Sequence, residues 1–152
     1  KKERWRVSLS TGSGFAAATR WSGSNEGVAH ALGDFDGDGR ADLLLARDGR
    51  VYVSLSTGTS FLPPVLWAMG ARGASMRAGD LNGDGRADLV GYSPATGCFE
   101  VMLSGGASLG ASRPWACGGA GYWSVGRFDP DGRADLVRIR RDTGWQVLSS
   151  AR

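Results

Sequence analysis

The residues with the most chemistry to offer are aspartates. In the stretch GDFDGDGRADLLL, from Gly33 to Leu45, Asp34, Asp36 and Asp38 alternate with other residues, and Asp42 follows. Unit charges about 4 Å apart repel by roughly 4 kcal/mol at an effective dielectric near 20, so a loop this acidic needs a compensating charge. Alternation lets the carboxylates converge, while Gly37 and Gly39 take the tight turns between them. An all-oxygen donor set of this size suits a hard cation of flexible geometry, and Ca²⁺ takes six to eight oxygens. The main-chain carbonyl of Arg40 would complete the set.

The chain offers this loop three times, at spacings of 46 and 47 residues. The second copy, GDLNGDGRADLVG from Gly79, supplies Asp80, Asn82, Asp84, the Arg86 carbonyl and Asp88. The third, GRFDPDGRADLVR from Gly126, supplies Asp129, Asp131, the Arg133 carbonyl and Asp135. There Arg127 takes the first donor position and Pro130 replaces a turn glycine. Weaker cation binding is expected of this copy, and the Arg127 guanidinium is a candidate substitute for the metal. An EF-hand opens in the same way, but it needs a Glu at position twelve and helices on both flanks. Position twelve is Leu45 in the first loop and Gly91 in the second, and the flanks alternate like strands. A roll of calcium-binding nonapeptides has far too short a period.

The elements that must hold these loops repeat with them. WRVSLSTGSGF, VYVSLSTGTSF, FEVMLSGGASL and a shortened WQVLSS start at Trp5, Val51, Phe99 and Trp145, and Trp21, Trp67 and Trp115 close successive units. Within a unit the apolar period is two: VAHALGDF, the acidic loop, ADLLLA, a Gly-containing turn, VYVSLS, a second turn, and a strand ending at the Trp. Glycines (25 in all) recur at the turns, so the chain reads as all-β, without a capped amphipathic helix. Four antiparallel strands in about 46 residues have the size of a β-propeller blade. The expected organisation is one repeat domain over 1–152: a partial blade 1–24, blades 25–70 and 71–118, and a partial blade 119–152. That gives 13 strands, a little over three blades, whereas closed propellers usually have four to eight. The expectation is a partial propeller, either a fragment of a longer ring or one completed by self-association.

The pattern D-x-[DN]-x-D-G-x-x-D-L inside such a unit resembles the FG-GAP/VCBS repeats, which build the calcium-bearing β-propellers of integrin α-subunits, some fungal lectins and many secreted bacterial proteins. The resemblance covers nearly the whole chain. It implies Ca²⁺ in the loop between strands one and two of each blade, on the donors named above, as a structural staple.

Other residues bound the function. Cys98 begins strand three and Cys117 ends strand four of one unit, ends that lie opposite each other in a hairpin, so a disulfide is reasonable. Such a bond implies an oxidising compartment; two buried thiols are the alternative. No apolar run is long enough to span a membrane, and KKERWRV lacks the apolar core of an export signal, which suggests a trimmed, secreted or cell-surface protein. His30, the only histidine, shares its repeat position with Met76 and Trp123, which favours packing. No nucleophile motif or phosphate-binding glycine loop accompanies it, so an enzyme is not expected. Trp21, Trp67 and Trp115 are read as packing between blades, while Tyr92 and Tyr122 fall outside the shared aromatic pattern. Aromatics of that kind beside Arg or Asn are where a sugar or peptide site would be sought.

Ten of the 15 acids lie in the three loops, so the remaining surface is basic beneath a formal charge of +3. That would suit an anionic partner such as an acidic polysaccharide or nucleic acid, but no basic run stands out, so a merely solvated Arg-rich surface is the plainer reading and nucleic acid is not expected. The expected function is an extracellular calcium-binding module for a protein or carbohydrate ligand. A carbohydrate-binding lectin and an accessory domain of a secreted hydrolase are the alternatives.

Overall fold

A computed structural model describes residues 5–21, 29–71, 75–118, 121–140 and 144–149. The boundary expected at 24/25, residue 119, and residues 141–143 of the last turn lie outside them. The described residues form thirteen strands and no helix. They are β1 (Arg6–Val7), β2 (Thr19–Arg20), β3 (Ala29–Gly33), β4 (Asp42–Arg47), β5 (Arg50–Ser54), β6 (Val65–Met69), β7 (Met76–Gly79), β8 (Asp88–Ser93), β9 (Cys98–Met102), β10 (Arg113–Cys117), β11 (Tyr122–Gly126), β12 (Asp135–Arg140) and β13 (Gly144–Leu148). They pair antiparallel in chain order into sheets β1–β2, β3–β6, β7–β10 and β11–β13, and none of the sheets closes. This is the all-β, propeller-blade organisation expected from the repeat.

Local sequence explains the hairpins. Asp48 and Gly49 both have positive φ (51° and 73°), so the β4–β5 turn is the mirror-image type whose twist matches its strands, and Asp-Gly is its preferred pair. The second strand of each whole sheet, β4 and β8, is buried on both faces, which is why DLLLA and DLVGY read as runs and not as alternation.

Neighbouring sheets pack first strand against first strand, β3 on β7 and β7 on β11. Glycine makes the approach possible. A Cβ on Gly33 would stand 2.7 Å from the Ala87 Cβ, and one on Gly79 would stand 2.7 Å from Val125 Cγ1. Main-chain bonds then tie the sheets together: the Ala87 N–H donates to the Asp34 carbonyl (2.6 Å) and the Ala134 N–H to the Asp80 carbonyl (2.6 Å). Phe35, Leu44, Val51 and Val53 fill the first interface, and Val90, Phe99, Val101 and Leu136 the second. Each such burial contributes about 1.5–3 kcal/mol.

Cys98 and Cys117, opposite each other in the β9–β10 register, form a disulfide with Cα atoms 4.0 Å apart. The repeated tryptophans divide. Trp21 and Trp67 are 9% and 7% exposed, and their carbonyls accept the Phe61 and Leu109 N–H groups from turns of the following sheet. Trp115 is 46% exposed, against the expectation that all three pack between blades. It lines an open apolar cleft of about 640 Å³ with Val90, Phe99 and Leu136. His30 meets Trp5 edge-on with ring centroids 5.4 Å apart, a packing contact as its repeat position suggests.

Candidate metal centre

The acidic loops join the first and second strands of three sheets, at the end where Gly33, Gly79 and Gly126 finish β3, β7 and β11. In the first loop Asp34 organises the backbone: its Oδ1 accepts the Gly37 and Asp38 N–H groups, at 2.7 and 3.0 Å, and its Oδ2 accepts Gly39 N–H at 2.7 Å. Gly37 and Gly39 reach this turn with φ of 83° and 86°, a region L side chains avoid. Asp42, fully buried, accepts the Phe35 N–H at 3.0 Å and the Ser56 N–H at 2.8 Å. Asp36 lies between them, and one carboxylate oxygen from each of Asp34, Asp36 and Asp42 lies within 4.8 Å of the others. Asp38 is placed differently. One oxygen accepts its own loop's Arg40 N–H, and the other is paired with the Arg40 guanidinium.

The second loop reproduces this arrangement bond for bond. Asp80 accepts the Gly83, Asp84 and Gly85 N–H groups, Asp88 accepts those of Leu81 and Ser104, and Arg86 Nη2 lies 2.7 Å from Asp84 Oδ2. The Asn82 carbonyl oxygen accepts the Asp84 N–H, in the place of Asp36. Arg86 also reaches back over the first loop, where a Cβ on Gly37 would stand 3.1 Å from its Cγ. The loops are therefore stacked along one end of the sheets.

The third loop departs from its neighbours at its head. Arg127 has no acceptor to offer, and Pro130 lacks the N–H that Gly37 and Gly83 give to Asp34 and Asp80; the two losses match. Asp135 stays buried and accepts the Phe128 N–H at 3.0 Å. Asp129 accepts the Asp131 N–H, and Asp131 is held by Arg133, whose Nε is 2.9 Å away. The guanidinium inside this loop is thus the Arg133 side chain, where the sequence singled out Arg127.

Electrostatics separate the donors into two kinds. Burial, followed by the charges of Asp38 and Asp34, raises the Asp36 pKa, and burial raises that of Asp42. Burial, with Asp84 and Asp80 nearby, pushes Asp88 up to about 6. Asp84 moves the other way: burial opposes it, but hydrogen bonds from Arg86 and Asn82 and the Arg86 charge prevail. Asp131 is lowered by its hydrogen bonds from Arg133. Burial thus disfavours the charged form of Asp36, Asp42 and Asp88, while Asp84 and Asp131 are held ionised by arginine.

The donor set fits calcium. Oxygens 2.3–2.6 Å from a shared ion lie no more than about 5 Å apart, the spread the first-loop carboxylates already have. Family comparison identifies the framework. An FG-GAP-like repeat model matches residues 34–91 and an FG-GAP repeat model matches residues 72–112, together more than half of the 152-residue chain. The chain belongs to the FG-GAP repeat family. No curated protein matches it. FG-GAP repeats are β-propeller-like interaction modules, often calcium-binding. Two contributors to these FG-GAP loops escaped the sequence reading. Ser56 and Ser104 donate main-chain N–H groups to Asp42 and Asp88, and their in-register SLS and MLS contexts were the available signal. The side chains of Arg40 and Arg86, named only for their carbonyls, neutralise Asp38 and Asp84.

Proposed function

We propose that this FG-GAP chain is an extracellular, non-catalytic interaction module whose first two acidic loops bind Ca²⁺. The convergence of Asp34, Asp36 and Asp42 within 4.8 Å carries the reading. Asp38 and the Arg40 carbonyl stand on the same loop as further donors, and the second loop offers Asp80, Asn82, Asp84, the Arg86 carbonyl and Asp88. The ion neutralises carboxylates that burial disfavours and fixes a loop joined by a main-chain bond to the next sheet. Its role is to hold neighbouring blades in register. The disulfide supports an oxidising, extracytoplasmic setting, and no helix among the described residues is long and apolar enough to cross a membrane. A protein or carbohydrate ligand is the partner, and contact with further blades, from a longer chain or a second copy, covers the open Trp115 cleft.

Calorimetric titration of metal-stripped protein with CaCl₂ tests this, with thermal unfolding measured in parallel. Two sites are expected, and calcium at about 100 times Kd stabilises by roughly 2.7 kcal/mol per site. No binding heat and an unchanged Tm would overturn the calcium reading.

A further inference from the structure

The end of the sheets opposite the acidic loops carries a second site. Ser75, Arg77, Tyr92, Tyr122 and Trp123 line a pocket of about 240 Å³, where β7 and β11 begin and β8 ends. It includes both tyrosines that break the aromatic pattern of the repeat.

The repeat supplies its own control. Strand register makes Arg77 the counterpart of Ala31 (paired with Val90 and Leu44), Tyr92 that of Ala46 (paired with Phe99 and Val51), and Trp123 that of Met76 (paired with Arg138 and Gly91). Between the first two whole sheets Ala31, Ala46 and Met76 are buried together in one apolar cluster. At the next junction, the same three positions hold a cation, a phenol and an indole, and the junction is open. Tyr92 and Trp123 pack partly buried against the second core cluster, but packing does not select an exposed arginine beside them.

The aromatic surfaces are fixed in place. Trp123 meets the buried Phe99 edge-on at 5.2 Å, Tyr92 meets the same ring tilted at 5.2 Å, and the Arg77 guanidinium carbon lies 5.3 Å from the centroid of Trp123. Arg77 Nη1 is anchored on the Met76 carbonyl at 2.8 Å and Ser75 Oγ at 3.4 Å, which leaves Nε and Nη2 to face a ligand. Tyr122, 87% exposed, stands beside them. We infer that this pocket binds a carboxylated pyranose, one uronate residue of an acidic polysaccharide. Tyrosine and tryptophan rings take the C–H face of a sugar, phenol and serine hydroxyls meet its hydroxyls, and the guanidinium fork matches its carboxylate. The volume is below the roughly 300–1,000 Å³ of pockets for drug-sized ligands, so it admits a single ring. Charge does not oppose this: ten of the 15 acids are gathered in the loops at the other end, and Arg77 is the cation that lines the pocket.

The inference rests on the chain being an interaction module, and does not depend on calcium. Calorimetry with a glucuronate-containing disaccharide, its neutral glucose analogue and poly-glutamate, in excess CaCl₂ and again in EDTA, tests it. Saturable binding of the uronate is expected, at least tenfold tighter than of the neutral sugar, with no comparable binding of poly-glutamate. Arg77→Gln should abolish the tenfold preference, and Tyr122→Ala should weaken both sugars about fivefold; neither should change the Tm shift produced by calcium. No uronate binding at millimolar concentration, a preference that survives in Arg77→Gln, or equal capture of poly-glutamate would overturn the assignment. Uronate binding without a calcium response would overturn the loop reading alone.

Discussion

The second and third acidic loops end in the same GRADLV, yet only the second has a head carboxylate cradled by main-chain amides. Both keep the buried tail: Asp88 and Asp135 lie inside and accept main-chain N–H groups. They differ at the head. Asp80 gathers three N–H groups, whereas Arg127 can gather none and Pro130 has none to give. The tail therefore belongs to the fold in both loops, and the head is the part that differs. One FG-GAP unit can lose its amide-binding head and remain a blade.

The largest effect should come from breaking the shared tail. Asp88→Ala strands the buried Leu81 and Ser104 N–H groups, at roughly 1–3 kcal/mol each, so a loss of about 2–6 kcal/mol is expected in urea denaturation. Asp84→Ala, which removes a partly exposed acceptor of Arg86 and Asn82, should cost less than about 1 kcal/mol. Equal losses would show that the tail is not the structural half of the loop.

Next in size is the glycine that ends the preceding strand. A Cβ on Gly79 meets Val125 Cγ1 at 2.7 Å and the Ala134 Cβ at 3.0 Å, whereas one on Gly126 meets only the edge of Phe128 at 3.4 Å. Gly79→Ala should cost about 1–3 kcal/mol by overpacking, and Gly126→Ala less than about 0.5 kcal/mol. Thermal unfolding of the two variants side by side checks the difference.

Much of this was legible in the sequence, for physical reasons. The thirteen strands follow from period-two runs punctuated by turn residues, and the repeat supplies the register that a single hairpin would leave ambiguous. The carboxylate positions were legible because alternate residues on a turning backbone point inward. Competition for the same group was not legible. Asp38 and Asp84 face their own arginines because Arg40 and Arg86 sit two residues on, a local pairing that donor spacing does not reveal. Trp115 shares a sequence position with Trp21 and Trp67, but burial depends on the neighbouring turn, which the position does not encode. The pocket at Arg77 and Trp123 emerged only when strand register showed which alanines they replace.

Converting the third head into the second sharpens the comparison from the other side. The double variant Arg127→Asp, Pro130→Gly restores both the acceptor and the N–H donor that the first two loops share. Calorimetry should then count one more calcium site than in the wild type, with roughly 10⁻⁴–10⁻³ M affinity if it matches extracellular modules. An unchanged count would mean that the head does not decide whether the loop takes an ion, since the arginine pair on Asp131 is shared with the first two loops.

The smallest effect separates positions within a loop by its sign: the buried Asp88 is raised, whereas the arginine-paired Asp84 and Asp131 are both lowered. In metal-free protein Asp88 titrates near 6 because it is buried beside Asp84 and Asp80, against an ordinary value of 3.8. Between these values the unfolded chain has released a proton that the folded protein still holds, so stability falls as pH rises from about 4 to about 6. Asp42, raised by burial, contributes with the same sign. Asp131 of the third loop is held low by Arg133, so its small contribution is present above pH 4 and fades as pH falls further. Urea midpoints of metal-free wild type should therefore decline across pH 4–6, and Asp88→Asn should flatten the decline. Saturating calcium should reverse the slope, since the ion binds the ionised carboxylates and its affinity grows as they lose their protons. A wild-type decline that persists undiminished in both Asp88→Asn and excess calcium would place the titrating group outside the acidic loops.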